Sequence, residues 1–378
     1  MDLEDKIIGG LKSIYGFFRF AVNLPRNLKT IRSIPARKSF YPEYTRKSDR
    51  QIRRENCRYL FKNREVNPYY ISYGFDAQCF RRQEEFLTHR DFFLSRDRGN
   101  QAMKRTSTGD YNYLALLRDK YVFYHYLASA LGRDAVVPVY ALISQNRAYF
   151  VEKSIWMPLA AILSEEGEKV YKVLDGECAD GVMLVECRAG TLRVDGEERS
   201  REAFLSTFRG SRLIVQHVVR QHEVLRRFQT KSISTIRVIT VRGKSGAINL
   251  FAAFLRLSAD GDSFVDNRAR GGLGIGVDLE TGKLMKYGFP HDSFGQKLEK
   301  HPLSGIVFDG FQLPDWEKVK SLVTRAHEQF YELQSIGWDV VLCPEGPRLL
   351  EGNDDWEICG PQDTNGGLKA RWKDLTNG

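Results

Sequence analysis

The chain has 378 residues, of which 42% are hydrophobic and 28% charged, and its formal net charge is +9. This composition excludes a disordered, collagen-like or disulfide-scaffold protein and is sufficient for one large core or several smaller ones. The six cysteines form no CxxC pair and no zinc-ligand spacing. We therefore expect reduced thiols in a cytoplasmic protein. No stretch reaches the roughly eighteen apolar residues that a membrane span requires.

Residues 1–60 predict a basic, amphipathic N-terminal extension. Residues 7–24 are apolar and aromatic apart from Lys12 and Arg19, and basic residues follow up to residue 38. Such a segment can contact an anionic membrane surface peripherally, which would place the protein at the inner membrane surface. Alternatively, it is a helix that packs on its own domain.

The basic charge lies mostly before residue 110. A basic face can bind nucleic acid, but it suits nucleotide phosphates or an acidic glycan equally well. The sequence contains no recognition helix, RNP signature or zinc finger. We therefore expect no nucleic-acid partner, and a small-molecule or glycan acceptor that can be anionic.

The pattern along the chain predicts helices first and then mostly strands. The first clear helix covers residues 113–131, where apolar residues recur at spacings of three and four and Gly132 follows as a stop. Further helices are predicted near 201–208 and over 316–334. Predicted strands are 136–143, 148–152, 169–173, 181–187, 191–194, 213–219, 235–241, 248–257, 276–278, 337–343 and 348–351. This alternation predicts an α+β enzyme with mostly antiparallel sheets.

The last two predicted strands carry oxygen ligands. Asp339 lies in an otherwise apolar strand, Glu351 closes the next strand, and the turn Pro344-Glu345-Gly346-Pro347 joins them. A carboxylate flanked by apolar residues is costly to bury without a cation or hydrogen-bond partners. Across such a hairpin Asp339 and Glu351 could face one another, with Asn353 pointing the same way. Two carboxylates and an amide oxygen suit Mg²⁺, with Mn²⁺ as a substitute; otherwise this is a solvated strand end.

A lysine and a glycine-bounded loop form a second candidate site. Lys172 ends a predicted strand, and Gly176 and Gly181 enclose the loop that follows. The loop can present backbone N–H groups to phosphates while the lysine adds a positive charge. An ordinary hairpin with two glycines explains the same pattern.

Two further segments have candidate binding roles. The apolar strand ending at Gln216 and Val218 can offer its backbone to an adenine edge, and Glu223 can hold ribose hydroxyls; the alternative is a buried strand and a charged loop. Asp266 and Asn267 precede a glycine-rich run that begins Gly271-Gly272. This run either shapes an acceptor pocket or is a turn between strands.

Together these segments resemble the ATP-grasp superfamily, and most closely its sugar-transfer-associated branch, which is related to α-L-glutamate ligases. The resemblance covers roughly residues 110–360. It is carried by LRDKYVF at 117–123, DGEC at 175–178, SISTIRVIT at 232–240, GVDLETG at 276–282, IGWD at 336–339 and LEGND at 350–354. Two features depart from the pattern. Gln216 stands where many relatives carry glutamate, and the loop has Cys178, Ala179 and Asp180 in place of a Gly/Ser-rich run.

The resemblance implies a fold of two α+β subdomains that clasp ATP, and a role for each matching residue. Lys120 and Lys172 would contact phosphate, and Gly176 and Gly181 would bound a lid over it. Gln216 and Val218 would form the adenine hinge, and Glu223 would bind ribose. Arg237 would stabilise the transferred phosphoryl group. Asp339, Glu351 and Asn353 would bind magnesium.

The implied organisation has four segments and one principal activity. After the extension at 1–60 come a helical region at 61–145, a lid subdomain at 146–222 and a metal- and acceptor-binding subdomain at 223–378. The implied activity is an ATP- and Mg²⁺-dependent carboxylate–amine ligase that forms an acylphosphate, in amino-acid or surface-polysaccharide biosynthesis. The alternatives are a kinase that phosphorylates a hydroxyl, with Asp266 as its base, and a non-catalytic nucleotide-binding scaffold for glycan assembly.

Overall fold

The computed structural model describes residues 18, 20–100, 113–174, 181–208, 210–260, 271–290, 296–331 and 333–377. The chain divides into two compact units. The smaller unit comprises the described parts of Met1–Phe93 together with Gly366–Ala370, and the larger unit comprises the described parts of Leu94–Asn365 and Arg371–Gly378.

The smaller unit is helical and rich in aromatic residues, as expected for the N-terminal end. Helix α1 covers residues 20–33, α2 is Asp49–Asn63 and α3 is His89–Gly99, which continues into the larger unit. Helix α2 begins where the Ser48 hydroxyl accepts a hydrogen bond from the Gln51 N–H, which satisfies one of the free donors at a helix start. No helix in the described part of the chain is long and apolar enough to cross a membrane.

The first sheet of the larger unit has eight strands in the order β3-β2-β1-β8-β4-β5-β6-β7. Its strands are β1 Val139–Ser144, β2 Arg147–Phe150, β3 Ile155–Pro158, β4 Gly167–Val173, β5 Met183–Arg188, β6 Thr191–Val194, β7 Glu197–Glu198 and β8 Leu213–His217. One face of this sheet carries a buried cluster that includes Tyr171 and Phe204. Because side chains alternate along a strand, Lys172 lies on the opposite face from Tyr171.

The second sheet has six strands in the order β12-β11-β10-β9-β13-β14. Its strands are β9 Thr235–Arg242, β10 Ile248–Leu257, β11 Leu273–Val277, β12 Leu284–Pro290, β13 Ser335–Cys343 and β14 Gly346–Asn353. Every pairing between these named strands, and between those of the first sheet, is antiparallel, as predicted.

Seven helices complete the larger unit's described elements, and several pack against the six-stranded sheet. They are α4 Ala115–Arg118, α5 Lys120–Leu131, α6 Arg201–Ser206, α7 Glu223–Arg226, α8 Trp316–Glu328, α9 Cys359–Asn365 and α10 Lys369–Asn377, the last of which lies partly in the smaller unit. Helices α5 and α8 supply Phe123, Leu127, Val319 and Val323 to the buried cluster that also contains Trp338 of β13.

The helix predicted over 113–131 is interrupted at Asp119. This residue has extended backbone angles, and its side chain accepts hydrogen bonds from the N–H groups of Tyr121 and Val122. Aspartate competes in this way with helix continuation and favours a cap. The interruption makes Lys120 the first residue of a new helix.

Three strands, β3, β7 and β12, were not predicted. Strand β7 has only two residues, and the sequences of β3 and β12 contain residues typical of turns. Strand β3 ends at Pro158, and β12 contains Gly288 and ends at Pro290. Both strands lie at sheet edges, where a missing N–H does not interrupt a ladder. The predicted helix 316–334 was also too long, since α8 ends at Glu328.

A buried histidine, His327, ties the end of α8 to the six-stranded sheet. Its Nε2 lies 2.9 Å from the Leu333 carbonyl oxygen and its Nδ1 lies 2.7 Å from the Thr240 hydroxyl oxygen. Because a carbonyl can only accept, Nε2 carries the proton and Nδ1 accepts from Thr240. The Thr240 hydroxyl in turn accepts from the Trp338 indole N–H. Burial lowers the pKa of His327 to about 4.

We expect this histidine to make the stability of the larger unit depend on pH. Its pKa is lower in the folded than in the unfolded chain, so the unfolded chain takes up the proton first as the pH falls. The stabilisation is complete above about pH 6.5 and is lost towards about pH 4, at a cost of about 3 kcal/mol in the free energy of unfolding. Urea unfolding at pH 7 and pH 4.5 measures the change.

His327→Gln and His125→Asn are the matched variants for this prediction. Glutamine keeps one donor and one acceptor at the buried position but does not titrate, so the pH dependence should become shallower. His125 is exposed, and its replacement should leave the profile unaltered. If the His327→Gln profile has the same slope as that of the unaltered protein, His327 is not the titrating group.

Candidate active site

The hairpin of β13 and β14 places Asp339 directly opposite Glu351, and Gly337 opposite Asn353. The register shifts between Asp339 and Val340 because β14 contributes one additional residue there. The strands are joined more tightly than the predicted four-residue turn, since Cys343 already pairs with Gly346. The two predicted carboxylates and the predicted amide therefore lie along one end of the hairpin.

Asp339 is almost fully buried, and two arginines hold its carboxylate. Arg237 of β9 donates to both carboxylate oxygens, through Nε to Oδ1 and through an NH2 group to Oδ2 at 3.0 Å. Arg256 of β10 donates to Oδ2 at 2.9 Å. Burial favours the protonated form of Asp339, but the charges of Arg237 and Arg256 outweigh it and hold the pKa well below its usual range. Asp339 is therefore ionised at neutral pH.

The pKa of Glu351 shifts in the opposite direction from that of Asp339. Burial raises its pKa, and the negative charge of Asp339, to which its side chain is hydrogen-bonded, raises it further. Arg237 and Lys172 act against this shift but do not cancel it. Two carboxyl groups this close favour a proton or a cation between them.

Asn353 completes the oxygen set. Its amide nitrogen donates to the Gly337 carbonyl oxygen at 3.2 Å and lies 3.5 Å from Glu351 Oε1. The described residues include no cluster of three His, Cys, Asp or Glu side chains that could hold a metal ion. Two carboxylates with one amide oxygen fit Mg²⁺, which fills its remaining positions with water and phosphate oxygens.

Both predicted phosphate lysines lie in the larger unit. Lys172 is on β4 and pairs with Ile214 of β8, and its charge acts on Glu351 of the other sheet. Lys120 begins α5, and its ammonium lies 3.4 Å from the carbonyl oxygen of Leu174, two residues after Lys172. The structure therefore brings the two lysines to the same end of β4. Gly176 lies outside the described residues, whereas Gly181 has a φ of +69° and precedes β5.

The predicted adenine hinge runs from β8 to α7. Gln216 is buried and pairs with Val170 of β4, two residues from Lys172. Val218 is exposed, and Glu223 is exposed as the first residue of α7. The Gln221 side chain anchors the segment between them, since it donates to the Leu342 carbonyl oxygen at 3.2 Å and accepts from the Ser234 N–H at 2.6 Å.

The candidate acceptor residues are only partly described. Gly271 has a φ of +96°, a conformation that glycine adopts readily, and Gly272 is buried immediately before β11. Asp266 and Asn267 lie outside the described residues. Their proposed contribution to an acceptor pocket stays a prediction.

Sequence reasoning missed two residues beside the site. Arg256 lies in the predicted strand 248–257 but was assigned no role. It is the one charged residue in FAAFLRL, and a single charge in an apolar strand is also the pattern that singled out Asp339. Arg118 forms a two-point ion pair with buried Asp354 through Nε at 2.8 Å and NH2 at 3.0 Å. This pair joins α4 to the residue that follows Asn353.

Gly352 lies between the two β14 ligands, and we expect it to tolerate no side chain. A Cβ at this position would lie 2.7 Å from Leu117 Cδ2 and 3.0 Å from the Trp338 ring. Gly352→Ala should therefore destabilise the protein by about 1–3 kcal/mol. Thermal unfolding measures this, with Gly243→Ala as the control, since the nearest atom there lies at 3.4 Å. Equal unfolding temperatures for the two variants would contradict the expected crowding.

The larger unit contains two antiparallel sheets, as the resemblance to the ATP-grasp superfamily implies. The model of the sugar-transfer associated ATP-grasp family matches residues 105–377. The chain belongs to this family. The family match confirms the resemblance and the fold class inferred from the sequence.

Solved structures of three enzymes are similar to this chain. N5-carboxyaminoimidazole ribonucleotide synthetase from Thermotoga maritima is 12% identical, with a TM-score of 0.37 over 67% of this chain and 48% of that one. The Staphylococcus aureus N5-carboxyaminoimidazole synthetase, complexed with ADP, is 12% identical, with a TM-score of 0.36 over 67% and 53%. The L-amino acid ligase from Bacillus licheniformis is 12% identical, with a TM-score of 0.38 over 71% and 48%.

The chain thus spans about half the length of these three proteins. No curated protein sequence matches it.

Proposed function

We propose that this protein is an ATP- and Mg²⁺-dependent ligase that activates a carboxylate as an acylphosphate and joins it to an amine. The observation that carries the proposal is the pairing of Asp339 with Glu351 across the β13–β14 hairpin, with Arg237 and Arg256 bound to Asp339. We propose that this pair of carboxyl groups binds a metal ion and that Lys120 and Lys172, at the end of β4, bind phosphate. This combination is what the transfer of a γ-phosphoryl group requires.

The roles of the residues follow from their charges. Lys120 and Lys172 would bind the phosphates of ATP, and Asp339, Glu351 and Asn353 would hold the metal ion that, when bound, neutralises phosphate charge. Arg237 and Arg256 keep Asp339 ionised, and Arg237 would stabilise the transferred phosphoryl group. Gln216, Val218 and Glu223 would receive the adenosine part.

A ligase is consistent with the charge of the site. A substrate carboxylate is already ionised at neutral pH, so its attack on phosphorus needs positioning and positive charge more than a base. Arg237 and Arg256, which both contact Asp339, supply positive charge for this purpose. Membership in a sugar-transfer associated family makes amino-acid or surface-glycan modification the setting that we propose, with an acceptor that can be anionic.

ADP release and hydroxylamine trapping test the proposal. The protein is incubated with Mg·ATP and panels of amino acids, amines and glycans, and ADP, phosphate and product masses are measured. A ligase releases ADP and phosphate in equal amounts and yields a hydroxamate when hydroxylamine replaces the amine. Phosphate retained on the product would instead identify a kinase, and nucleotide binding without turnover a scaffold; either result would overturn the proposal.

A further inference from the structure

In the described part of the smaller unit, three of the exposed large apolar side chains lie near the beginning of α1 and at the end of α2. Phe18 is 67%, Val22 62% and Phe61 60% exposed. Phe18 and Val22 are one helical turn apart, and the ring of Phe20 lies 6.2 Å from that of Phe61. The contact places the last turn of α2 beside the beginning of α1. Exposed apolar side chains that cluster in this way typically mark an interaction surface.

The cations of both helices extend from this cluster. On α1, the exposed residues Arg26 and Lys29 continue the stripe of Phe18 and Val22 at spacings of four and three. On α2, Arg58 precedes Phe61 by three residues and Lys62 follows it. We call these seven residues (Phe18, Val22, Arg26, Lys29, Arg58, Phe61 and Lys62) the amphipathic patch.

Within the described helices α1 and α2, acidic side chains are few and lie away from Phe61 or pair with other cations. Residues 20–33 contain no aspartate or glutamate. On α2, Asp49 lies at the far end from Phe61 and 3.8 Å from Arg53, and Glu55 forms an ion pair with Lys47 at 3.0 Å. The patch therefore presents positive charge around apolar side chains.

We propose that the amphipathic patch docks the protein on an anionic lipid bilayer. Phenylalanine and valine side chains insert at the boundary between headgroups and acyl chains, while lysine and arginine bind anionic headgroups. A soluble polyanion would use the cations but not three exposed apolar side chains. A second copy of the chain would bring like charges together, which opposes self-association. The proposal is independent of the chemistry at the ATP site.

Vesicle sedimentation with the full-length chain tests the proposal. We expect binding to vesicles of phosphatidylcholine and phosphatidylglycerol in equal parts, and much weaker binding to phosphatidylcholine alone. Phe61→Ser should lower the partition coefficient about tenfold. Lys29→Gln combined with Arg58→Gln should lower it about 30-fold, since each cation near an anionic surface contributes about a fivefold change. Raising the salt concentration should weaken binding of the unaltered protein.

Two matched variants serve as controls. Leu303→Ser removes an apolar side chain that is 47% exposed in the larger unit, and Arg193→Gln with Arg199→Gln removes two exposed cations there. Both should bind vesicles like the unaltered protein, and circular dichroism should give the same unfolding temperature for Phe61→Ser as for the unaltered chain.

Three results would overturn the proposal. The first is unaltered vesicle binding by Phe61→Ser, because Phe61 belongs to a different helix from the rest of the apolar cluster and a folded surface requires it. The second is equal binding to both kinds of vesicle. The third is a dimer in solution that Phe61→Ser dissociates without changing the vesicle partition coefficient, which would assign the patch to self-association.

Discussion

Glu351→Gln should lower kcat about 1,000-fold, equivalent to about 4 kcal/mol of transition-state stabilisation. The physical reason is the loss of one of the two carboxyl groups that we propose as metal ligands, which face one another across the hairpin. Glutamine preserves the size of the side chain and a donor for the hydrogen bond to Asp339. We therefore expect the variant to fold normally. ADP release at saturating Mg²⁺, with a substrate mixture that supports turnover of the unaltered protein, measures the effect.

Glu345→Gln is the matched control for this experiment. Glu345 lies on the turn of the same hairpin and is exposed, so its replacement should leave kcat within twofold of the unaltered value, roughly the range expected for a surface change. Binding of Mn²⁺ in the presence of ADP gives a second readout, and it should weaken only in Glu351→Gln. Near-normal turnover of Glu351→Gln at saturating Mg²⁺ would remove Glu351 from the metal site.

Lys172→Met should reduce kcat by about 100- to 1,000-fold, because a cation aimed at developing phosphate charge in a partly enclosed site contributes this much. ATP binding should weaken as well, since in the proposed site the lysine would also contact the ground-state phosphates. Methionine keeps most of the chain length on β4, so the sheet should be unaffected. Steady-state kinetics over a range of ATP concentrations separate the two effects.

Lys153→Met provides the comparison for Lys172→Met. Lys153 follows another strand of the same sheet and is exposed. Its replacement should leave both kcat and the KM for ATP unaltered. A larger loss in Lys153→Met than in Lys172→Met would mean that the two lysines have been assigned the wrong way round.

The parts of the site that follow from local pattern could be predicted from the sequence. The apolar run along 337–343 singled out Asp339 as the one charge in it, and the facing of Asp339 and Glu351 followed from hairpin geometry. The strands at 191–194 and 248–257 also have the predicted bounds. In each of these segments the local sequence pattern is sufficient to predict where the strand lies.

The remaining features depend on contacts between distant segments. Arg237 of β9 and Arg256 of β10 both bind Asp339 of β13. The spacing of residues within one strand cannot reveal contacts among three strands. Edge strands such as β12 tolerate Gly288 and Pro290 because of their position in the sheet, which the sequence does not state. The interruption at Asp119 results from competition between capping and helix continuation, and periodicity alone favours the continuous helix.

Strand β14 contains one residue, Leu350, that has no partner on β13. From the turn, Cys343 pairs with Gly346 and Val340 with Leu349, so an unbroken ladder would set Leu350 opposite Asp339. The one-residue shift brings Glu351 to that position instead, and it does so without altering the apolar pairs nearer the turn. Deleting Leu350 would restore an unbroken ladder and would still leave Glu351 opposite Asp339, but it would remove the local twist that a bulge adds to a strand. The extra residue therefore affects the angle at which the two carboxyl groups meet, and the pairing of Asp339 with Glu351 does not depend on it.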